Sequence, residues 1–366
     1  MTTRMGTTLL AFACVVAGEI PLRAVEYHGR QFIGYHRFEG FSQTNEPAGG
    51  AKVLLSPVIS AAVDWDELVV SWNVRQAATA SLTVEARPIV PHQTTKFYVL
   101  GVWSGDRARN PRQSLKDQRD DVGDVLTDTL SLKHPAREVQ LRLTFTGSDE
   151  APLQALKFLG LSFLDTKSAA APVAPNRAAW GHSLPVPEQS QMDFPGGAVW
   201  CSPTSTTMIL RHWSSVLQQP ALSNNVPAVA AEVYDPNWPG TGNWPFNTAF
   251  AGGFDGMRAY VTRLGDVAEL EDWIEAGVPV ALSVSYNILK GKPRGKNDGH
   301  FVVCVGFTAD GDVVVNDPGT KTGVRRVFPR GAVVEAWANS HNTVYLIYPD
   351  TIHRPPNRFG HWEEPP

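Results

Sequence analysis

The stretch Ala198-Val199-Trp200-Cys201-Ser202-Pro203-Thr204-Ser205 decides how this chain is read. It sets a cysteine at the first turn of a predicted helix. Ser202, Thr204 and Ser205 favour helix starts, and Pro203 suits a first turn because its missing N–H would have no partner there. Pro195-Gly196-Gly197 before the cysteine is a loop signal. Met208, Ile209, Trp213, Val216 and Leu217 after it keep mostly helical spacing. A thiol at such a position meets unpaired backbone N–H groups and the positive end of the helix dipole, both of which favour the thiolate. An arbitrary cysteine is more often buried and structural, so the rest of the chain must separate the two readings.

At 366 residues the chain is long enough for two domains, each with its own core. A hydrophobic content of 43% and a charged content of 19% are those of a globular protein. The net charge of −4 carries no basic footprint for nucleic acid. No apolar run of the mature region is long enough to span a bilayer. The three cysteines, Cys14, Cys201 and Cys304, form neither a disulfide framework nor a paired zinc motif, and the ten histidines are scattered. No metal or organic cofactor is therefore expected. Residues 1–24 begin Met1-Thr-Thr-Arg4 and continue into a mostly apolar run from Thr7 to Gly18. This pattern is that of a secretory signal peptide, so a secreted or periplasmic protein is expected, or a cytoplasmic one if the segment is only a disordered extension.

Residues 26–165 read as β structure. Val53–Ile59, Leu68–Val74, Ser81–Val90, Lys96–Trp103, Val125–Leu132, Val139–Phe145 and Leu156–Phe163 are rich in Val, Leu, Thr and aromatic residues. Several alternate, with Leu82, Val84 and Ala86 on one face of their strand. One buried and one solvated face per strand predicts an antiparallel β-sandwich. The charged loop from Gly105 to Gly123 mixes both signs and reads as solvated and internally ion-paired. Trp65, Trp72 and Trp103 are candidates for a glycan or cell-wall platform, with Trp72 more in the manner of a core residue.

Residues 166–183 are rich in Ala, Pro and Ser and read as an interdomain linker. Residues 184–349 then predict an α+β domain, a helix-rich half followed by antiparallel strands. Its helices follow Cys201, span Ala228–Val233 and run from Asp266 to Gly277, the last with an Asp cap and a Gly stop. Tyr234–Phe254 reads as a loop, with Trp238 and Trp244 as cleft walls or loop anchors. Strands follow at Val278–Tyr286, His300–Phe307, Val313–Asn316, Val324–Phe328 and Thr343–Tyr348. The Pro-rich tail, residues 350–366, is expected to be loosely held.

A nucleophilic cysteine needs a base, and the base needs an orienting acceptor. His300, at the mouth of a strand after Lys296-Asn-Asp-Gly299, is the candidate base. Asp317, ending the next strand, is the candidate orienter, with Asn316 as the fallback. A tight turn at Asp310-Gly311 would place Asp317 opposite Cys304, about 13 Å along a flat strand from His300. The pair therefore requires a wider loop, strong coiling or a bulge, for which Gly306 is suited. Cys304 itself reads as core.

The order Gln, Cys at a helix start, His beginning a strand, and Asn or Asp ending the next resembles the papain-type cysteine peptidases. Val186-Pro-Glu-Gln-Ser-Gln-Met192, Trp200-Cys-Ser-Pro-Thr-Ser205, Gly242-Asn-Trp-Pro245, Gly299-His-Phe-Val-Val303 and Val315-Asn-Asp-Pro318 are similar to peptidase family thirty-nine, the bacteriocin-leader type. The match is to its free-standing bacterial members with an N-terminal β domain. The resemblance implies a papain-like fold for the second domain and a peptide or protein substrate. It implies Cys201 as nucleophile, His300 as acid and base, Asp317 as orienter and Gln191 as oxyanion donor, with Gln189 as the lesser candidate. No transporter segment or phosphate-binding loop accompanies these motifs, so the double-glycine specificity of transporter-fused members is not implied. A non-catalytic glycan- or peptide-binding protein and a cysteine acyltransferase are the competing functions.

Overall fold

The computed structural model describes residues 29–45, 50–75, 80–91, 93–147, 152–169 and 173–363. Residues 1–24, where the export signal is expected, lie outside the described residues. The first half is β: β1 (Arg30–Tyr35), β2 (Ser42–Asn45), β3 (Lys52–Leu55), β4 (Ile59–Val74), β5 (Ser81–Ile89), β6 (Tyr98–Ser104), β7 (Gly123–Leu126) and β8 (Thr129–Thr146). A single helical turn, α1 (Pro152–Ala155), leads into β9 (Leu156–Leu164). Leu82, Val84 and Ala86 are buried as their alternation requires. Two apolar runs are broken by turn chemistry. Ser56-Pro57 separates β3 from β4, since proline has no N–H for a ladder. Thr127, at φ 64°, reverses the chain between β7 and β8.

Among the described residues the two separate sheets of a sandwich are not seen. The strands form one curled, ten-stranded sheet. β8 pairs with β4 and β7 near its start and with β3 and β5 near its end, so one long strand carries the hydrogen bonding around the curl. β4 shifts register around Trp65, and such irregularities bend a strand. The three candidate platform tryptophans face inward: Trp65 and Trp72 are 0% exposed and Trp103 is 2% exposed. Trp65 packs on Phe163, and the Arg112 guanidinium covers Trp103 at 3.6 Å. They are core, and no glycan platform is formed from them.

The second half holds α2 (Cys201–Leu217), α3 (Val226–Glu232), α4 (Trp244–Gly253), β10 (Met257–Arg263), α5 (Val267–Glu275), β11 (Val280–Ser285) and α6 (Tyr286–Leu289). It continues with β12 (Gly299–Phe307), β13 (Val313–Asn316), β14 (Arg325–Phe328), α7 (Arg330–Ala338) and β15 (Thr343–Pro349). Its sheet runs β10-β15-β11-β12-β13-β14, with antiparallel neighbours. α2 lays Met208, Ile209 and Trp213 into the core, and the Trp213 indole donates to the Ile347 carbonyl at 2.8 Å. Each such side chain contributes about 1.5–3 kcal/mol on burial. Asp266 caps α5 through the Ala268 N–H, and Gly277 follows at φ 80°. α4 replaces part of the expected loop. It is buried nearly all round, so it has no amphipathic stripe to read.

The two halves are fused by polar and apolar contacts. β10 is the edge of its sheet, and the first domain covers that edge. The Asn73 amide donates to the Ala259 carbonyl (2.7 Å) and accepts from the Ala259 N–H (3.0 Å), and Ser71 Oγ accepts from the Val261 N–H (2.9 Å). Phe246 of α4 packs on Trp72 and Trp103. The charged loop also crosses over, with Arg107 and Arg112 both paired to Glu232. Residues 173–183 are likewise docked, with the Trp180 indole donating to Glu271 at 2.7 Å. The tail is anchored, contrary to the loose segment expected. β16 (Trp362–Glu363) pairs with β1, and His361 is 2% exposed and holds Glu269 at 2.6 Å. Trp362 packs on Phe32, Tyr260 and Trp273, an aromatic cluster that the proline content of the tail obscures.

Candidate active site

Cys201 opens α2 because the preceding loop is built from glycines. Gly196 sits at φ 81°, and a Cβ on Gly197 would collide with the Gln191 carbonyl. The Trp200 N–H donates to the Gly197 carbonyl (2.9 Å), and the Thr204 N–H donates to Trp200 (2.9 Å) to close the first helical turn. A Ser202–Tyr345 hydroxyl contact of 2.9 Å ties this turn to β15. The thiol is partly buried and free.

His300 is the second residue of β12, opposite Val284 of β11, and is 6% exposed. Its Nε2 lies 2.8 Å from Asp317 Oδ1, and its ring is near enough to the Cys201 thiol for each to favour the other's charged form. The register explains how Asp317 reaches it. Two departures from a tight hairpin act together. The chain reverses through a five-residue loop, Thr308–Asp312, between the paired residues Phe307 and Val313. A bulge between Cys304 and Gly306 then shifts the pairing again, so that Val303 faces Asn316. Continuing that register sets Asp317 beside Val302, two residues from His300 and on the same face, rather than beside Cys304. Gly306 is required at the bulge because the His182-Ser183 backbone presses where its Cβ would be.

Asp317 is fully buried and well satisfied. Its Oδ1 also accepts from the Gly319 N–H (2.9 Å), and its Oδ2 accepts from the Tyr286 hydroxyl (2.9 Å) and Arg326 (3.5 Å). The Tyr286 ring lies on His300 with centroids 4.0 Å apart. Sequence reasoning missed Tyr286. Its signal is its place just past Ser285, the residue paired with Gly299 at the His300 end of the hairpin.

The electrostatics of this cluster follow from its contacts. Burial opposes ionisation of Cys201. The hydrogen bond and charge of His300, with the Phe301 and Ser202 N–H groups, outweigh it and bring the thiol below its ordinary value. Burial likewise opposes the imidazolium, and the Asp317 and Cys201 contacts outweigh it, raising His300 to about 9. Burial would raise Asp317, but His300, Gly319 and Tyr286 hold it low. The arrangement favours a thiolate–imidazolium pair beside a carboxylate.

Gln191 is 4% exposed and lines the same cleft as Cys201. Its Nε2 donates to the Ala198 carbonyl at 2.8 Å, which orients the amide and leaves a second N–H. Gln189 is turned elsewhere, donating to Asp193 and accepting from Arg211. Asn316 also points away, donating to the Val186 and Pro187 carbonyls and accepting from Arg325. The structure thus gathers Cys201, His300, Asp317 and Gln191, and places Gln189 and Asn316 in supporting contacts.

The cluster opens into a cleft of about 1180 Å³. Trp238 and Trp244 form walls, as expected of them, and the first domain supplies Glu67 and Leu126–Thr129. That contribution had no sequence signal, since it depends on how the domains dock. Among the described residues no group of three or more His, Cys, Asp or Glu side chains is placed to hold a metal ion. No helix there is long and apolar enough to cross a membrane.

Residues 183–345 match the family model described as Peptidase_C39 like family, and residues 41–160 match the one described as Peptidase C39 N-terminal domain. The chain is also similar to uncharacterized proteins of Mycobacterium tuberculosis (strain H37Rv) and Mycobacterium bovis. Each is 36% identical over 84 residues, which are 21% of this chain and 36% of the relative. The match therefore spans about a third of the length of those curated relatives. Among solved structures, a Bacillus anthracis protein assigned as a C39-like peptidase aligns over 46% of this chain and 98% of its own. Its sequence identity is 17% and its TM-score 0.36.

Proposed function

On the premise that the chain belongs, through residues 183–345 and 41–160, to the C39-like peptidases, we propose that it is a cysteine peptidase acting on peptide or protein substrates. The observation that carries this reading is the buried His300–Asp317 contact of 2.8 Å, with His300 and the free Cys201 thiol lining one open cleft. The Cys201 thiolate attacks the scissile carbonyl carbon. The oxyanion forms beside the Cys201 backbone N–H and the Gln191 amide, each such donor contributing about 3 kcal/mol. The His300 imidazolium gives its proton to the leaving amine as the carbon–nitrogen bond breaks, leaving a thioacyl enzyme. Neutral imidazole then takes a proton from water, whose oxygen displaces the thiolate and releases the acid. Asp317 holds the ring orientation and stabilises its charge. Export is part of the proposal and rests on the sequence of residues 1–24.

The test compares wild type with Cys201→Ala on a broad peptide library, together with labelling by a small thiol-directed electrophile. The expected result is turnover and selective labelling that both vanish in the variant. Turnover that survives the substitution, or a wild type that neither cleaves nor labels at Cys201, would end this reading.

A further inference from the structure

Arg263 ends β10 at the domain boundary and lines the cleft that holds Cys201. It is 3% exposed, and its Nη2 donates to Glu67 of the first domain at 2.7 Å. Its Nε and Nη1 are buried with no hydrogen-bond partner. Asn339, in the turn after α7, lines the same cleft and has a buried, unpartnered Oδ1. Unsatisfied buried donors cost about 1–3 kcal/mol each and are uncommon in native structures. Here both residues line the cleft that holds Cys201.

The charge around Arg263 selects among occupants. The carboxylates of Glu67, Asp66 and Asp128 surround it, and Arg30 is the second guanidinium nearby. Burial disfavours the imidazolium form of His341 on the same wall. Three negative groups against two positive ones disfavour a further carboxylate, and the open Arg263 donors disfavour a cation. The open positions call for an acceptor facing Arg263 and a donor facing Asn339. A carboxamide offers both, whereas a carboxylate offers acceptors alone.

We propose that Arg263, positioned by Glu67 of the N-terminal domain and joined by Asn339, forms a substrate subsite for the side-chain carboxamide of a glutamine or asparagine. The inference rests on the peptidase reading for the identity of the ligand, and it gives the N-terminal domain a part in specificity. The free donors of Arg263 bond the carboxamide oxygen, and Asn339 Oδ1 accepts from its nitrogen.

The experiment reads binding apart from turnover. Peptide series scanning Gln, Glu, Lys and norleucine through each position are tested for protection of Cys201 against iodoacetamide, using the full chain. The peptide-free rate of each variant is its own reference. In wild type, Gln peptides at one position are expected to protect at concentrations at least about tenfold below the Glu, Lys and norleucine versions. Glu67→Gln, a change at a partly exposed residue, is expected to move the preference at that position toward Glu, because the guanidinium loses its counter-charge. Arg263→Met is expected to abolish the preference, with thermal melting reporting whether the variant is folded. A flat scan in wild type, a Lys or Glu preference there, or a Gln preference unchanged in Glu67→Gln overturns the proposal. Cleavage of the same peptides is scored separately, so a failed subsite with intact turnover is distinct from a failed peptidase.

Discussion

Cys201 and Cys304 are free thiols on neighbouring elements, α2 and β12, and their surroundings push them in opposite directions. Cys304 is 0% exposed in mid-strand, flanked in register by Val280 and Val315. Burial pushes its thiol up to about 12, and a backbone hydrogen bond from Gly306 offsets this only in part. Cys201 meets the same opposition from burial and overcomes it through His300 and two backbone N–H groups. The histidine brought to a cysteine at a helix start thus favours its thiolate, and burial amid valines disfavours that of the other. A buried histidine–carboxylate pair is not sufficient either. His361 and Glu269 form one at 2.6 Å, but the remaining Glu269 contacts are the Trp362 indole and the Gly265 N–H, so that pair anchors the tail.

The largest break in this comparison is expected from Cys201→Ala. Peptide mass mapping after brief alkylation should find wild type modified at Cys201 and not at Cys304, and Cys304 of the variant unmodified until the protein is unfolded. Asp317→Asn should follow, lowering kcat/KM by roughly a hundredfold to ten-thousandfold, the range of general acid–base contributions. Gln191→Ala should lower kcat by about a hundredfold. Alkylation of its Cys201, which forms no oxyanion, should change far less, separating the donor from the nucleophile. Tyr286→Phe should have the smallest effect, about fivefold in kcat/KM, the equivalent of one hydrogen bond of about 1 kcal/mol to Asp317.

Much of the candidate site was legible in the residues, because the proposed nucleophile, base and acceptor each sit at a recognisable start or end of an element. Cys201 stood at a helix start, and His300 and Asp317 stood at the same end of adjacent strands. The Cys304–Gly306 bulge was needed to join them, and Gly306 was visible as its site. The five-residue loop was not visible, since Asp310-Gly311 reads as a two-residue turn and forms only part of a longer one. Tyr286 escaped notice because its role depends on where the chain turns after β11. The curl of the N-terminal sheet was illegible, since alternation marks buried faces but not whether strands close into one sheet or two. The inward tryptophans and the anchored tail were hidden for a related reason. Trp72 and Trp103 pack on Phe246 of the second domain, and the tail pairs with β1 of the first.

The central claim is that Cys201 and His300 form an ion pair, and the pH profile of Cys201 alkylation by iodoacetamide tests it most directly. A lowered thiol and a raised imidazole leave a window in which thiolate and imidazolium coexist, bounded above by His300 at about 9. Wild type should therefore alkylate on a plateau that begins well below the ordinary thiol range of about 8.5. A second rise is expected near pH 9, as His300 loses its proton and frees the thiolate. His300→Ala should collapse the profile to one step in the ordinary thiol range. A single ordinary step in wild type, unchanged by His300→Ala, would contradict the account.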